Sequence, residues 1–194
     1  MTKEEARELK ETRSNDWREY DEENSILFNS YCKDDRMVLS NMYPCIMEYN
    51  GMVFNSVDQM YHWLMFDGGG EEARKIRDKI GNDMVFGGVM SGFSAKKLSE
   101  KNEALIPEVN KKNHLKILKM CHIVKAKCCK EFRKKLIESG SKNLVEWSFW
   151  GDYEYGVNQL ERGGKYEGIN SCGRVMMEVR RMLLAGELGD YMNE

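Results

Sequence analysis

The chain has 194 residues, of which 41% are hydrophobic and 32% charged, and its formal net charge is −2. A chain of this length and composition can form one compact globular domain whose core is stable without disulfides or a structural metal. The nearly neutral charge argues against a basic domain that grips nucleic acid through many phosphates. No apolar stretch reaches the roughly 18 residues that a membrane span requires, and a cytoplasmic protein is expected.

The six cysteines and three histidines are scattered, and no two cysteines form a C-x-x-C pair. Such spacing indicates neither a disulfide framework nor a zinc site, so we expect no metal and no cofactor. Ten basic residues between Lys111 and Lys135, Lys125 among them, fall in a predicted helical stretch. They indicate the solvated face of an amphipathic helix or, as the less favoured interpretation, a surface that faces nucleic acid.

The chain begins with a segment dense in charged residues, at positions 1–24. This pattern predicts an exposed helix or arm outside the core. The main domain is expected to span residues 25–186, with a tail at 187–194. Its first strand is predicted at residues 25–31.

The clearest local signal is the Asn50-Gly51 pair between two short apolar runs. It predicts a β-hairpin, because both turn residues must tolerate positive φ. Ser56 follows, with Gln59 three residues later, which is a capping-box pattern. A helix should therefore begin there and run to about Phe66.

The rest of the chain is predicted to be rich in helix. Apolar spacing indicates helices near 71–80 and 95–101, a long helix over 113–139, a strand over 144–150, and a last helix beginning at an N-cap supplied by Asn170 or Ser171. The long helix should bury one stripe made of Leu115, Leu118, Val124, Cys128, Phe132 and Leu136. The predicted fold is a mixed α+β domain, helix-rich, around a small β-sheet.

Asp58 is the first candidate for chemistry, since it lies in the first turn of the helix that follows the hairpin. The positive end of the helix dipole favours its ionised form there. Taken alone, it is better interpreted as an ordinary helix-start carboxylate. Asn41 and Tyr43 lie shortly before it, and the hairpin can fold them back towards the helix start.

Asp152 is the second candidate, because aromatic residues crowd around it: Trp147, Phe149, Trp150, Tyr153 and Tyr155. Two interpretations stay open at this point. The rings form either a strand edge packed on the core or a pocket in which they stack on a base or nicotinamide while carboxylates face a sugar. A fixed carboxylate would stabilise the positive charge of an oxocarbenium-like transition state.

Five ordered blocks, spread over about residues 28–183, resemble the NADAR family. Residues 39–45 (LSNMYPC) are similar to its L-S-N-F-Y-P-C stretch, and residues 56–61 (SVDQMY) to its S-x-E-x-x-Y helix start. The later blocks are residues 95–98 (AKKL), residues 150–156 (WGDYEYG) with LVE before them, and residues 168–180, which resemble G-x-N-x-L-G-x-x-L-M-E-V-R.

This resemblance implies an α+β fold that handles NAD- and ADP-ribose-like molecules. Some members resemble N-glycosidases that act on a riboflavin-pathway intermediate. Others remove ADP-ribose from guanine bases in nucleic acid, which reverses DarT-type toxins, and such genes also occur in phages. For this chain we expect a metal-independent N-glycosidic hydrolase whose partner is ADP-ribose or ADP-ribosylated guanine in DNA or RNA. The alternatives are a catalytically weak module that binds ADP-ribose and a glycosidase of the riboflavin branch.

The resemblance also implies roles for individual residues. Asp58 takes the place of the glutamate on the catalytic helix, and Asp152 holds the second acidic position. Ligand contacts are implied for Asn41, Tyr43, Tyr61, Lys96, Trp150, Tyr155, Gly156 and Asn170. The chain departs from the family at His62, which replaces a common glutamine, and at Tyr155, which replaces a tryptophan. It also departs at Met65, where many members carry a lysine that Lys96 or Lys97 would have to replace.

Overall fold

The computed structural model describes residues 1–82 and 91–189. The fold is α+β and helix-rich, as predicted, but the described strands form three two-stranded sheets rather than one. The chain divides into two compact units: Met1–Ser40 with Lys134–Glu187, and Asn41–Arg133 with Leu188 and Gly189. Within the described residues, no helix has both the length and the apolar character needed to cross a membrane.

The elements follow one another in chain order. The helices are α1 (Lys3–Thr12), α2 (Val57–Met65), α3 (Glu71–Asn82), α4 (Gly92–Lys101), α5 (Glu108–Lys112), α6 (His114–Cys128), α7 (Lys130–Glu138) and α8 (Ser171–Ala185). The strands are β1 (Arg18–Tyr20), β2 (Ser25–Phe28), β3 (Met47–Tyr49), β4 (Met52–Phe54), β5 (Asn143–Glu146) and β6 (Tyr166–Gly168). β1 pairs with β6 and β3 with β4 in antiparallel fashion, whereas β2 and β5 are parallel.

The charged N-terminal segment does contain a helix, but the expectation that it stays outside the core is wrong. Ala6, Trp17 and Tyr20 are buried. Trp17 stacks on Tyr153 with ring centroids 5.8 Å apart, and its indole N–H donates to Glu167. The few apolar side chains of the segment turn inward while its many charged side chains face solvent. The charge density of the segment therefore does not indicate that part of it is buried.

The two predicted strands of this unit are both shorter than expected. β2 ends at Phe28, because the Asn29 side chain accepts the Tyr31 N–H at 2.8 Å and turns the chain. β5 ends at Glu146, and the Ser148 hydroxyl beyond it accepts backbone N–H groups of the following loop. In each case a local side-chain bond competes with the strand ladder.

The start of α8 is not capped as the sequence suggested. Asn170 precedes the helix with φ 53°, and its side chain donates to the Leu144 carbonyl and accepts the Glu146 N–H. α8 therefore lies close against β5. Gly173 permits this approach, because a Cβ there would overlap the Leu144 carbonyl oxygen.

The second unit begins with the predicted hairpin. Asn50 and Gly51 take φ values of 50° and 73°, and β3 and β4 pair on either side of them. Ser56 caps α2 by accepting the Gln59 N–H. The reciprocal bond of the capping box is displaced by one residue, since the Gln59 side chain accepts the N–H of Asn55.

The long helix predicted over 113–139 is two helices, α6 and α7. The break lies at Cys129, whose backbone is extended, and the Cys129 sulfur accepts the Phe132 N–H at 3.4 Å. The sulfur thus acts as the N-cap of α7. Because the break rotates the following residues, Cys129 is buried and Cys128 exposed, the reverse of the predicted stripe, and Leu115 is only half-buried.

Candidate functional site

Asp58 lies in the first turn of α2, inside the second unit. Its N–H donates to the carbonyl of Asn41 at 3.1 Å, so the hairpin folds the segment of Asn41 and Tyr43 back to the helix start. The residue is half-buried, while Ser56 just before it is buried. One turn of helix and one loop therefore hold the backbone of Asp58 in place.

The electrostatic surroundings of Asp58 are unusual for a carboxylate at a helix start. Burial raises the pKa of Asp58 to about 6, and the positive charges of Lys96 and Lys125 oppose that rise. The sign is opposite to the one expected from the helix dipole alone, because desolvation is the larger effect. A carboxyl group with this pKa can exchange a proton close to neutral pH.

α4 supplies one of the two lysines. Gly92, at its first position, lies so near Asp58 that a Cβ would come within 2.8 Å of the Asp58 Cβ. Lys96 is four residues later and shares this face of the helix, which accounts for its effect on the Asp58 pKa. Lys97 instead lies over the Phe93 ring at 4.3 Å. Of the two lysines left open by the sequence, Lys96 is the one whose charge acts on Asp58.

Lys125, on α6, is the second lysine, and its assignment to a solvated face is wrong. It is fully buried, with its ammonium group 5.5 Å from the centre of the Tyr43 ring and 4.5 Å from that of Phe132. Aromatic faces attract such a cation. The sequence did carry a signal, because Leu118, Cys121 and Lys125 follow the i, i+3, i+7 spacing of a buried stripe.

His62 and Tyr61 occupy the next part of α2. Burial, with a further contribution from Lys96, lowers the pKa of His62 to about 3, so its imidazole is neutral at physiological pH. Its ring meets that of Tyr61 edge to face at 5.1 Å. Across residues 1–82 and 91–189, no group of three or more His, Cys, Asp and Glu side chains is placed to hold a metal ion.

Asp152 lies in the first unit, in the loop after β5. Its Oδ1 atom accepts the N–H groups of Glu154 and Tyr155 at 3.1 and 2.9 Å, and its own N–H donates to Ser148. A side chain that accepts from the backbone two and three residues later builds a tight turn. One carboxylate oxygen of Asp152 is therefore engaged in shaping the loop.

This loop is joined to the start of α8 by backbone hydrogen bonds. The N–H groups of Ser171 and Cys172 donate to the carbonyls of Glu154 and Tyr155, each at 3.0 Å. Gly156 allows the close packing, because a Cβ there would lie 2.7 Å from a carbonyl oxygen of β5. Two sequence blocks that resemble the NADAR family are thus one structural feature. The amide of Asn170 belongs to the same feature, through its bonds to β5.

The aromatic residues around Asp152 divide between the two interpretations that the sequence left open. Tyr153 is buried against Trp17 and belongs to the core. Trp150 is 81% exposed. Phe149 is also exposed, and the centre of its ring lies 4.1 Å from that of Trp147. Exposed rings of this kind are available to stack on a flat ligand.

The architecture has a counterpart among solved structures, although no family model and no curated protein sequence matches the chain. The fold is similar to that of the E. coli protein YbiA. The NMR structure of YbiA matches with a TM-score of 0.66 and 19% sequence identity, over 85% of this chain and 88% of that one. At this identity the likeness concerns the fold alone, and it agrees with the helix-rich α+β architecture predicted from the sequence.

Proposed function

We propose that the protein hydrolyses an N-glycosidic bond and releases ADP-ribose from a guanine base in DNA or RNA. The observation that carries this proposal is Asp58, a half-buried carboxylate whose pKa is raised to about 6 beside Lys96 and Lys125. It stands at the start of α2, where the sequence blocks align with the family's catalytic glutamate. The YbiA-like fold, from a family linked to N-glycosidase activity, supports the same reaction class.

The proposed chemistry follows from the charge that develops on the ribose. As the bond from the anomeric carbon to the base nitrogen breaks, its electron pair leaves with the base and positive charge builds on the sugar. The ionised Asp58 carboxylate stabilises that charge. It then accepts a proton from the water whose oxygen bonds to the anomeric carbon. A proton passes to the base nitrogen, so that guanine leaves as a neutral base and the carboxylate is regenerated. Lys96, exposed beside Asp58, pairs with the ligand phosphates.

Taken by itself, the loop of Asp152 in the first unit offers a surface on which we propose that a base stacks. Trp150 is exposed on it, and stacking of an aromatic ring on a base is worth about 1–3 kcal/mol. Asp152 contributes by holding the turn that presents Trp150 and Tyr155. The reacting carboxylate is assigned to Asp58 and the loop-forming carboxylate to Asp152.

The test is release of ADP-ribose from an oligonucleotide that carries ADP-ribosylated guanine, followed by chromatography. The unmutated protein should release ADP-ribose, Asp58→Asn should lose at least about 100-fold in rate, and Asp58→Glu should keep partial activity. Glu72→Gln, on the exposed face of α3, is the matched control and should match the unmutated protein. An unmutated protein that leaves every guanine-linked substrate intact would overturn the proposal, as would full activity in Asp58→Asn. Release of ribose 5-phosphate from a riboflavin-pathway intermediate, instead of ADP-ribose, would reassign the substrate.

A second candidate function is a module that binds ADP-ribose without turnover. Met65 favours it, because this residue is buried on α2 at the position where many family members carry a lysine. Calorimetry separates the two functions. Tight binding of ADP-ribose by a protein that shows no hydrolysis identifies a binding module.

A further inference from the structure

Helix α2 has one partly accessible face, and three polar residues share it. Six of its nine residues are buried, and the other three, Asp58, Tyr61 and His62, are half-buried. Their spacing of i, i+3 and i+4 places all three side chains on the same side of the helix. His62 is therefore a neighbour of the carboxylate to which the proposed function assigns the reaction.

His62 carries a polar atom that its surroundings leave unsatisfied. Its Nδ1 atom is buried and has no hydrogen-bond partner among residues 1–82 and 91–189. The ring packs edge to face against that of Tyr61, with the two centres 5.1 Å apart. A buried polar atom without a partner destabilises the folded protein, so such an atom in a native structure needs an explanation. A ligand that completes the hydrogen bonding of the imidazole provides one.

The charge state of His62 decides which ligand group fits it. Burial, with a further contribution from the exposed Lys96 on α4, lowers the pKa of His62 to about 3, so its imidazole is neutral. A neutral imidazole has one donor and one acceptor nitrogen. A sugar hydroxyl also donates and accepts, whereas a phosphate oxygen accepts and is better matched by a cation such as Lys96.

We propose that His62 is a ligand-contacting residue that hydrogen-bonds a hydroxyl of the ribose whose glycosidic bond lies at Asp58. Residues four apart on a helix have Cβ atoms about 5–6 Å from each other, which is close to the span of one ribose with its hydroxyl groups. Asp58 then faces the anomeric carbon while His62 holds the neighbouring diol. A polar group placed in this way makes the site reject ligands that lack the hydroxyl. The inference rests on the proposed function for the class of its ligand.

The test compares binding of ADP-ribose and ADP to the full-length protein by calorimetry. His62→Phe keeps an aromatic ring against Tyr61 and removes both ring nitrogens. It should weaken ADP-ribose binding about 10-fold or more and leave ADP binding unchanged, because ADP lacks the terminal ribose. The same variant should be as stable in urea as the unmutated protein, or more stable, because an unsatisfied buried nitrogen is gone. A purely structural role for His62 predicts lower stability instead.

His114→Phe is the matched control. The Nδ1 atom of His114 lies 2.8 Å from the Lys111 carbonyl oxygen, so this variant should lose stability and keep its affinity for ADP-ribose. His62→Asn and His62→Gln identify the nitrogen that contacts the ligand. The asparagine amide stands near the position of Nδ1 and the glutamine amide near that of Nε2, and one of the two should bind ADP-ribose more tightly than His62→Phe does.

Three results would overturn the inference. The first is unchanged ADP-ribose affinity in His62→Phe, and the second is equal weakening of ADP and ADP-ribose, which would place the contact away from the terminal ribose. The third is an unmutated protein that binds no ADP-ribose. Failure of the proposed function has a different signature. ADP-ribose binding that depends on His62, without release of ADP-ribose from the oligonucleotide, would remove the hydrolase and keep this contact.

Discussion

Gly92 lies against Asp58 so closely that a methyl group at Gly92 would come within 2.8 Å of the aspartate Cβ and 3.0 Å of the Ser56 hydroxyl. The start of α4 thus packs against the Asp58 side chain at the start of α2. Gly92 is the residue that makes this approach possible. Its role can be separated from that of an ordinary glycine by a matched substitution.

Gly92→Ala should displace Asp58 and lower the free energy of unfolding by about 1–2 kcal/mol, because the extra methyl has to push packed atoms apart. The rate of ADP-ribose release should fall with it. Gly70→Ala is the control, since a Cβ there meets no atom within 4 Å, and it should change stability by less than about 0.5 kcal/mol. Urea unfolding of the two variants measures the difference. Equal effects in both would show that Gly92 does not position Asp58.

Asp58 should make stability fall as pH rises. Its folded pKa of about 6 lies above the ordinary value of 3.8, so its favourable contribution is complete below about pH 4 and is lost as pH rises through 6. Asp58→Asn should lack this loss. Between pH 4 and pH 7.5 its free energy of unfolding, relative to that of the unmutated protein, should therefore rise by about 2 kcal/mol. Urea unfolding at both pH values checks this, and a difference that stays constant with pH would refute it.

Lys125→Met should move the titration of Asp58 to higher pH, because the buried ammonium group lowers the Asp58 pKa. Methionine keeps most of the side-chain length and removes the charge. The midpoint of the pH–rate profile should rise, whereas the exposed Lys127→Met should leave it in place. An unchanged midpoint in Lys125→Met would remove Lys125 from the electrostatics of the site.

The elements that the sequence predicted well are those with local signals. The hairpin at Asn50-Gly51 and the start of α2 depend on turn and capping chemistry within a few residues, and both were found. The return of Asn41 to the first turn of α2 followed from that hairpin. The resemblance to the family named Asp58 and Asp152 as site residues, and this stays a prediction. The structure shows that the two carboxylates have different surroundings.

The features that the sequence missed depend on contacts between distant segments. Trp17 is buried by residues near the other end of the chain, and Lys125 is buried because Tyr43 and Phe132 provide aromatic faces for its charge. The break at Cys129 depends on a sulfur that caps the next helix. Helical spacing puts Lys125 in line with Leu118 and Cys121, but periodicity cannot supply any of these partners.

Trp150→Ala should weaken ligand binding without unfolding the protein. The ring is 81% exposed, so the free energy of unfolding should change by less than about 0.5 kcal/mol. Loss of one base stack should raise KM about 10-fold or more. Tyr153→Ala is the contrasting variant, because this ring is buried against Trp17 and its loss should destabilise the fold by about 3–5 kcal/mol. An unchanged KM in Trp150→Ala would exclude the ring from base recognition.

Asp152→Asn and Asp152→Ala together should separate loop formation from catalysis. The amide oxygen of asparagine can still accept the N–H groups of Glu154 and Tyr155, whereas alanine leaves both without their acceptor. If Asp152 holds the loop, Asp152→Asn should keep activity within about 5-fold of the unmutated protein, and Asp152→Ala should lose much more through KM. A charge requirement at Asp152 predicts the opposite, equal losses of kcat in both variants. Steady-state kinetics on the same oligonucleotide distinguishes the two, and equal kcat losses would show that Asp152 acts through its charge and not only by holding the turn.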